Sequence, residues 1–174
     1  MAGHAGMLDR SALAREVTEG RIDTVVTAIP DLYGRLVGKR IHAPYFLSEV
    51  LGHGMHVCDY LLACDMEMDP VQGYAFTSWE KGYGDVLCKV DWASLRRASW
   101  LEKSAIVICD VFDERTGAPV AIAPRTILRR QLARARERGF LALGASELEF
   151  FAFKEKQKMM DMTLAIRQRV AKEV

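Results

Sequence analysis

Glu147 and Glu149 are the residues of this chain whose type and spacing point most directly to chemistry. In an extended strand, residues two apart project to the same face, roughly 6–7 Å apart along the backbone. The two carboxylates would then lie side by side, with Leu148, Phe150 and Ala152 projecting the other way. Parallel carboxylates repel, and burial would raise their pKa values unless a cation sat beside them. Mg²⁺ and Mn²⁺ prefer such hard oxygen donors. The same pattern also fits a strand with one solvated face, although Phe151 and Phe153 on the glutamate side weigh against that. Spacing leaves both readings open.

Other groups offer less. Gly34-Arg-Leu-Val-Gly-Lys-Arg40 invites comparison with a phosphate loop, but only three residues separate its glycines. Arg40 also stands where a Ser or Thr should hold Mg²⁺. Lys39 and Arg40 fit a basic strand guarding an exposed edge. His53 and His56 are three apart, but Gly52 and Gly54 disfavour a helix there and no third ligand is near in sequence. No Ser or Cys has the setting of a nucleophile. Arginines 125, 129, 130, 134, 136 and 138 crowd one segment and read as a solvated helix face. Asp59, Asp65, Glu67 and Asp69 form an acidic run, either a solvated loop or a loop facing substrate.

These residues need elements to position them. Leu8, Ala12, Leu13 and Val17 share one face at helical spacing, and Gly20 is a stop signal, so residues 8–20 are expected to be helical. Residues 22–29 are rich in β-branched side chains and predict a strand. A turn at Pro30-Asp31 then leads to a second strand over 33–42, completing a hairpin. A short helix is expected over 43–51, closed by Gly52 and Gly54. Residues 56–68 read as mixed and extended, and 69–84 as loop. Strands are expected at 85–90 and 104–110, the second apolar throughout and central. After a polar hairpin-like connection over 113–123, Pro124 opens a helix that Gly139 ends. Its apolar side is Ile127, Leu128, Leu132 and Ala135. Residues 140–153 predict a strand. Residues 154–174 predict a charged helix with Met159, Met162 and Ile166 along one side. The early strands sit close together, which favours an α+β sheet over a doubly wound one.

Composition narrows the classes. Half of the 174 residues are hydrophobic, enough for a core, and 24 Lys+Arg against 23 Asp+Glu excludes the basic bias of a nucleic-acid binder. Four cysteines without a Cys-x-x-Cys pair suit a reducing cytoplasm. No signal-peptide pattern and no membrane-length apolar run is present, so no membrane partner is expected.

The order of segments carries a resemblance. Asp31-Leu-Tyr-Gly-Arg-Leu-Val-Gly-Lys-Arg40 resembles the β-hairpin of the small N-terminal domain of the glutamine synthetase family. Gly84-Asp85, Val90-Asp91, Trp100 and Ile106-Val-Ile-Cys-Asp110 resemble the stretch closing that domain. Pro124-Arg125 resembles the start of the catalytic domain, and Ser146-Glu-Leu-Glu-Phe-Phe-Ala-Phe153 is similar to the family's Glu-x-Glu-Phe-Phe strand. The resemblance spans roughly residues 9–153.

It implies a β-grasp domain followed by a helix and the first strand of a glutamine synthetase catalytic domain. The implied organisation is an N-terminal helix over 1–20, a β-grasp domain over 21–113, the start of the catalytic domain over 114–153, and an unrelated charged tail over 154–174. Family members use ATP and Mg²⁺ or Mn²⁺ to phosphorylate the γ-carboxylate of glutamate, which ammonia or another amine then attacks. Glu147 is implied as a ligand of the metal near the nucleotide and Glu149 of the metal near the glutamate. A homo-oligomeric ring is implied too. No catalytic or nucleotide-binding residue is assigned within this chain.

Two departures matter. The Asp-Gly-Ser-Ser loop of ammonia-using members, whose aspartate binds ammonium, is replaced by Cys58-Asp-Tyr-Leu-Leu-Ala-Cys-Asp-Met-Glu-Met-Asp-Pro70. That points to the γ-glutamyl-polyamine or another glutamate–amine ligase branch. After Phe153 the resemblance ends, so the remaining family ligands are expected to be missing and the chain by itself inactive. Two consequences are expected: exposed Phe150, Phe151 or Phe153 on an open strand, and, as the alternative function, a non-catalytic β-grasp module for assembly.

Overall fold

Asp9 starts the first helix by accepting a hydrogen bond from the Ala12 amide on its carboxylate at 2.7 Å. In the computed structural model, which describes residues 6–151, that helix is α1, Arg10–Thr18. Gly20, at φ +69°, turns the chain out of it, as the sequence predicts. Glu16, buried on α1, accepts from Arg21 Nε at 2.8 Å and also pairs with Arg97.

The expected hairpin is present. β1, Thr24–Pro30, pairs antiparallel with β2, Leu36–His42, from Thr24 opposite His42 to Pro30 opposite Leu36. The turn between them is closed by Asp31, and Gly34 supplies a left-handed residue at φ +80°. Gly38 lies opposite Ala28. A Cβ at Gly38 would fall 1.9 Å from the Thr27 carbonyl oxygen, so the close approach of the two strands depends on the missing side chain.

A helical run follows as α2, Ala43–Tyr45, a π turn at Phe46–Val50, and α3, Leu51–His53. Of the two glycines expected to close it, Gly52 stays within α3 and the chain turns at Gly54, φ +79°, where a Cβ would fall 2.6 Å from Leu87. The extended reading of 56–68 needs correction. β3 spans only Met55–Cys58, and a 3₁₀ turn follows at Asp59–Leu62. β4, Asp85–Val90, matches expectation, and β6, Ser104–Asp113, starts where expected and runs three residues past 110. A 3₁₀ turn at Trp92–Ser94 and the two-residue β5, Arg96–Arg97, lie between them.

The strands form one mixed sheet in the order β2-β1-β6-β4-β3, with β5 also paired to β6. β1 and β6 run parallel and the other pairs are antiparallel. β6 is central, as its apolar run predicts. Leu13, Ile22, Val25, Ile29, Phe46 and Val107 anchor the buried cluster. The sheet is strongly curled. Lys39 on β2 donates to the His56 carbonyl on β3 at 2.7 Å, so the two outermost strands meet. Thr27 on β1 lies 2.9 Å from Met55 Sδ across the same fold. Cys88 and Cys109 are fully buried on neighbouring strands, and burial pushes both thiols up to about 12.

α4, Pro124–Glu137, begins at the expected proline and ends before Gly139. No α4 residue is fully buried. Its attachment is ionic: Arg125 pairs with Asp110 at 2.9 Å and with Asp91, while Arg129 pairs with the same two at 2.8 and 3.1 Å. For Arg125 the solvated-face expectation is corrected, while Arg129 pairs with the aspartates from an exposed position.

The chain divides into two compact units, Met1–Leu141 and Ala142–Val174. The strand expected over 140–153 is absent from residues 140–151, which are irregular and exposed. A strand persists where its backbone groups find a ladder partner, and the strand order β2-β1-β6-β4-β3 does not include residues 140–150. The expected exposure of Phe150, 83%, and Phe151 holds. Phe153 and the helix expected over 154–174 lie outside the described residues.

Candidate functional site

The acidic run that follows β3 resolves into two parts. Asp59 opens the 3₁₀ turn directly after the strand. Its carboxylate accepts from the Thr77 hydroxyl at 2.6 Å and from the Gly84 amide at 3.2 Å. Asp59 thereby ties together both ends of the 59–84 loop. Thr77 is buried, so this pairing is shielded on one side. On the other side Asp59 opens on a cleft of about 590 Å³, whose lining includes Phe76, Lys81, Asp85, Glu114 and Arg115. With Asp113 also present, carboxylates outnumber cations there, which suits a positively charged or strongly dipolar guest better than an anion.

Asp65, Glu67 and Asp69 belong to a miniature hairpin over 63–71. The Val71 amide donates to the Ala63 carbonyl at 2.8 Å, and the Asp65 amide to the Asp69 carbonyl at 2.9 Å. The Asp65 carboxylate accepts from the Glu67 and Asp69 amides at 3.0 and 2.9 Å. It is engaged in shaping its own turn. Met68 adopts φ +70°, a left-handed conformation uncommon outside glycine.

The turn between β1 and β2 holds this hairpin. Asp31, 2% exposed, accepts from the amides of Tyr33 and Arg35 and from Arg35 Nε at 2.6 Å. Burial pushes the Asp31 carboxyl up, but the hydrogen bonds from Arg35 and Tyr33 outweigh it and hold the group below its ordinary value. The rest of the Arg35 guanidinium reaches over to the loop, donating to the Asp65 carbonyl at 2.8 Å and to the Met66 carbonyl. Sequence reading missed Arg35 and Thr77. The signal for Arg35 was weak: an aspartate opening a turn, followed by a glycine and a long donor.

The remaining candidates stand apart. His53 contacts the Glu49 carbonyl at 3.2 Å and His56 the Glu114 carboxylate at 3.2 Å. Glu147 and Glu149 lie in the exposed, irregular segment of the second unit. Among the described residues, no group of three or more His, Cys, Asp or Glu is placed to hold a metal ion. Two exposed carboxylates fill only part of the octahedral shell that Mg²⁺ demands. Their hard carboxylate oxygens are of the kind Mg²⁺ takes, and they could supply two of its ligands. Among the described residues no helix is long and apolar enough to cross a membrane.

No family model matches the chain. It is 51% identical over 139 residues to a gamma-glutamylethanolamide synthetase of Streptomyces coelicolor, covering 80% of this chain and 30% of the relative. It is 32% identical over 135 residues to a glutamate–isopropylamine ligase of a Pseudomonas species, covering 78% of this chain and 29% of the relative. Among solved structures, a GmaS/ADP complex superimposes with a TM-score of 0.54 at 25% identity, over 72% of this chain and 26% of that one. The chain thus spans less than a third of the length of the relatives it matches.

Proposed function

We propose, on the premise that this chain belongs to the glutamine synthetase family, that it supplies the N-terminal β-grasp domain and the start of the catalytic domain of an ATP-dependent ligase joining the γ-carboxylate of glutamate to an amine other than ammonia. One observation carries the reading. The best-matching stretch includes the 59–84 loop, where the Asp-Gly-Ser-Ser sequence is replaced, and both relatives named above are ligases of organic amines. The carboxylate-rich cleft beside Asp59 suits a protonated amine of either kind, ammonium included, and so supports the amine side of the reading rather than the choice of amine.

Within this reading, Glu147 and Glu149 would contribute carboxylates to a divalent metal once their segment is paired in a catalytic sheet. ATP would supply the phosphoryl group that activates the γ-carboxylate of glutamate, with ADP as the leaving group, and the metal held by these carboxylates would supply charge neutralisation for that transfer. This chain's own contribution is to shape the 59–84 loop and the carboxylate-rich cleft beside it. The assembly would be a homo-oligomer with sites between neighbours.

The test, made on the whole ligase to which this chain would contribute, is ATP- and glutamate-dependent phosphate release with ethanolamine, isopropylamine and ammonium compared at equal concentration. Turnover with an organic amine well above that with ammonium is the expected result. Turnover with ammonium alone would overturn the amine assignment. The second reading, a non-catalytic assembly module, draws on the exposure of Glu147 and Glu149 in a segment without strand structure over residues 142–151. Ring assembly without phosphate release with any of the three would select it.

A further inference from the structure

We propose that Arg35 is a positioning residue for the amine side of the site: it latches the 63–71 hairpin to the β1–β2 turn and so sets the shape of the 59–84 loop. The inference rests on the amine-ligase reading above. Its basis is the division of labour within one guanidinium. Nε is committed to Asp31, a nearly fully buried carboxylate on the sheet side. The two terminal nitrogens are committed to consecutive main-chain carbonyls, Asp65 and Met66, at the tip of the loop. A planar fork spans a carboxylate and two carbonyls at once, which an ammonium cannot do. Tyr33 lies under the guanidinium, 5.2 Å from its carbon to the ring centroid, and limits its swing.

The loop has few other holds at this point. Its tip residues Met66 and Met68 are exposed, and its internal hydrogen bonds are local. Ala63 and Cys64, at the base, are buried. The base is therefore fixed by packing and the tip by Arg35. The hairpin does not itself line the cleft, but beyond Val71 the chain runs directly on to Ala75 and Phe76, which do, so the seating of the hairpin sets where that wall begins.

Hydrogen exchange on the full chain tests the latch, comparing wild type with Arg35→Lys and Arg35→Ala. In R35K the Glu67, Met68, Asp69 and Val71 amides should exchange roughly tenfold faster, as expected for losing a charge-assisted hydrogen bond. Amides of β1, β4 and β6 should be unchanged, because lysine still offers Asp31 a cation. R35A should show the same loosening together with a lower thermal midpoint. Unchanged loop exchange in both variants, or equal acceleration throughout the sheet, would overturn the latch. In the ligase assay R35K should raise the amine KM more than it lowers kcat, with the KM values for glutamate and ATP unmoved. Fast loop exchange with an unmoved amine KM would overturn the positioning role while leaving the ligase reading intact. Absence of turnover in wild type with every amine would instead overturn the ligase reading.

Discussion

Arg125→Met should release α4 from the sheet while the sheet stays folded. The helix buries no residue fully, and Ile127 and Leu128 are exposed, so apolar packing holds it weakly. Arg125 is its main tether, 27% exposed at the side chain and paired with both Asp91 and Asp110. At a charge separation of roughly 4 Å and an effective dielectric near 20, each pair is worth about 4 kcal/mol gross. Desolvation and partial solvent screening cancel much of this, and Arg129 remains to pair with both aspartates. A net loss of about 2 kcal/mol follows. A detached helix of this length is marginal in water, so its amides should exchange roughly 30-fold faster by the same free energy. The assay is hydrogen exchange read separately for residues 128–137 and for β6. A double-mutant cycle with Asp110→Asn should show coupling of about 1 kcal/mol or more. Unchanged exchange in α4, or equal acceleration in α4 and β6, would refute the view that this helix is ionically docked.

Gly38→Ala should cost about 3 kcal/mol or more, because a Cβ placed 1.9 Å from the Thr27 oxygen forces β1 and β2 apart; thermal unfolding measures it, and a midpoint within a degree of wild type would contradict the geometry. Glu16 should confer acid sensitivity. The hydrogen bond from Arg21, joined by that from Arg97, outweighs burial and pulls its carboxyl from 4.5 down to about 2. A lowered folded pKa gives stability that is full above the unfolded value and lost as pH falls through the folded one. Wild type should therefore lose stability between pH 4.5 and about 2, while Glu16→Gln, less stable at neutral pH, should show a flatter profile over that window. Calorimetric titration of the chain with Mg²⁺ should show no binding tighter than millimolar, and Glu147→Gln with Glu149→Gln should leave that unchanged; a micromolar site abolished by the pair would mean that these carboxylates are already organised.

The sequence was most legible where local rules agree with tertiary demands. The hairpin of β1 and β2 combines β-branched runs with an Asp-opened turn, and α4 carries a proline at its start and a glycine after its end. Both appear as expected. The central place of β6 followed from an apolar run that only burial on both faces can accommodate. The 59–84 loop was not legible, because its shape depends on partners far away in sequence. Asp59 meets Thr77 and Gly84 only through tertiary folding, and Arg35 reaches Asp65 across 30 positions. The Glu147 strand shows the opposite failure. Its alternation is right for a strand, but a strand exists only with a neighbour to pair with. The arginines of α4 also divide by what lies opposite them: Arg125 and Arg129 face the two aspartates, a distinction periodicity does not contain.

Four free thiols distributed as they are give the molecule two internal clocks. Only the thiolate is alkylated readily, and with pKa values pushed up to about 12 by burial, Cys88 and Cys109 are unreactive while the sheet is closed. Their labelling by a thiol reagent must wait for global opening, so its rate reads the lifetime of the whole sheet. Cys64 sits at the base of the 63–71 hairpin, where a smaller local opening exposes it. Pulse alkylation followed by peptide mass analysis would time both events in one sample, separating a change in the loop from a change in the fold without an added label.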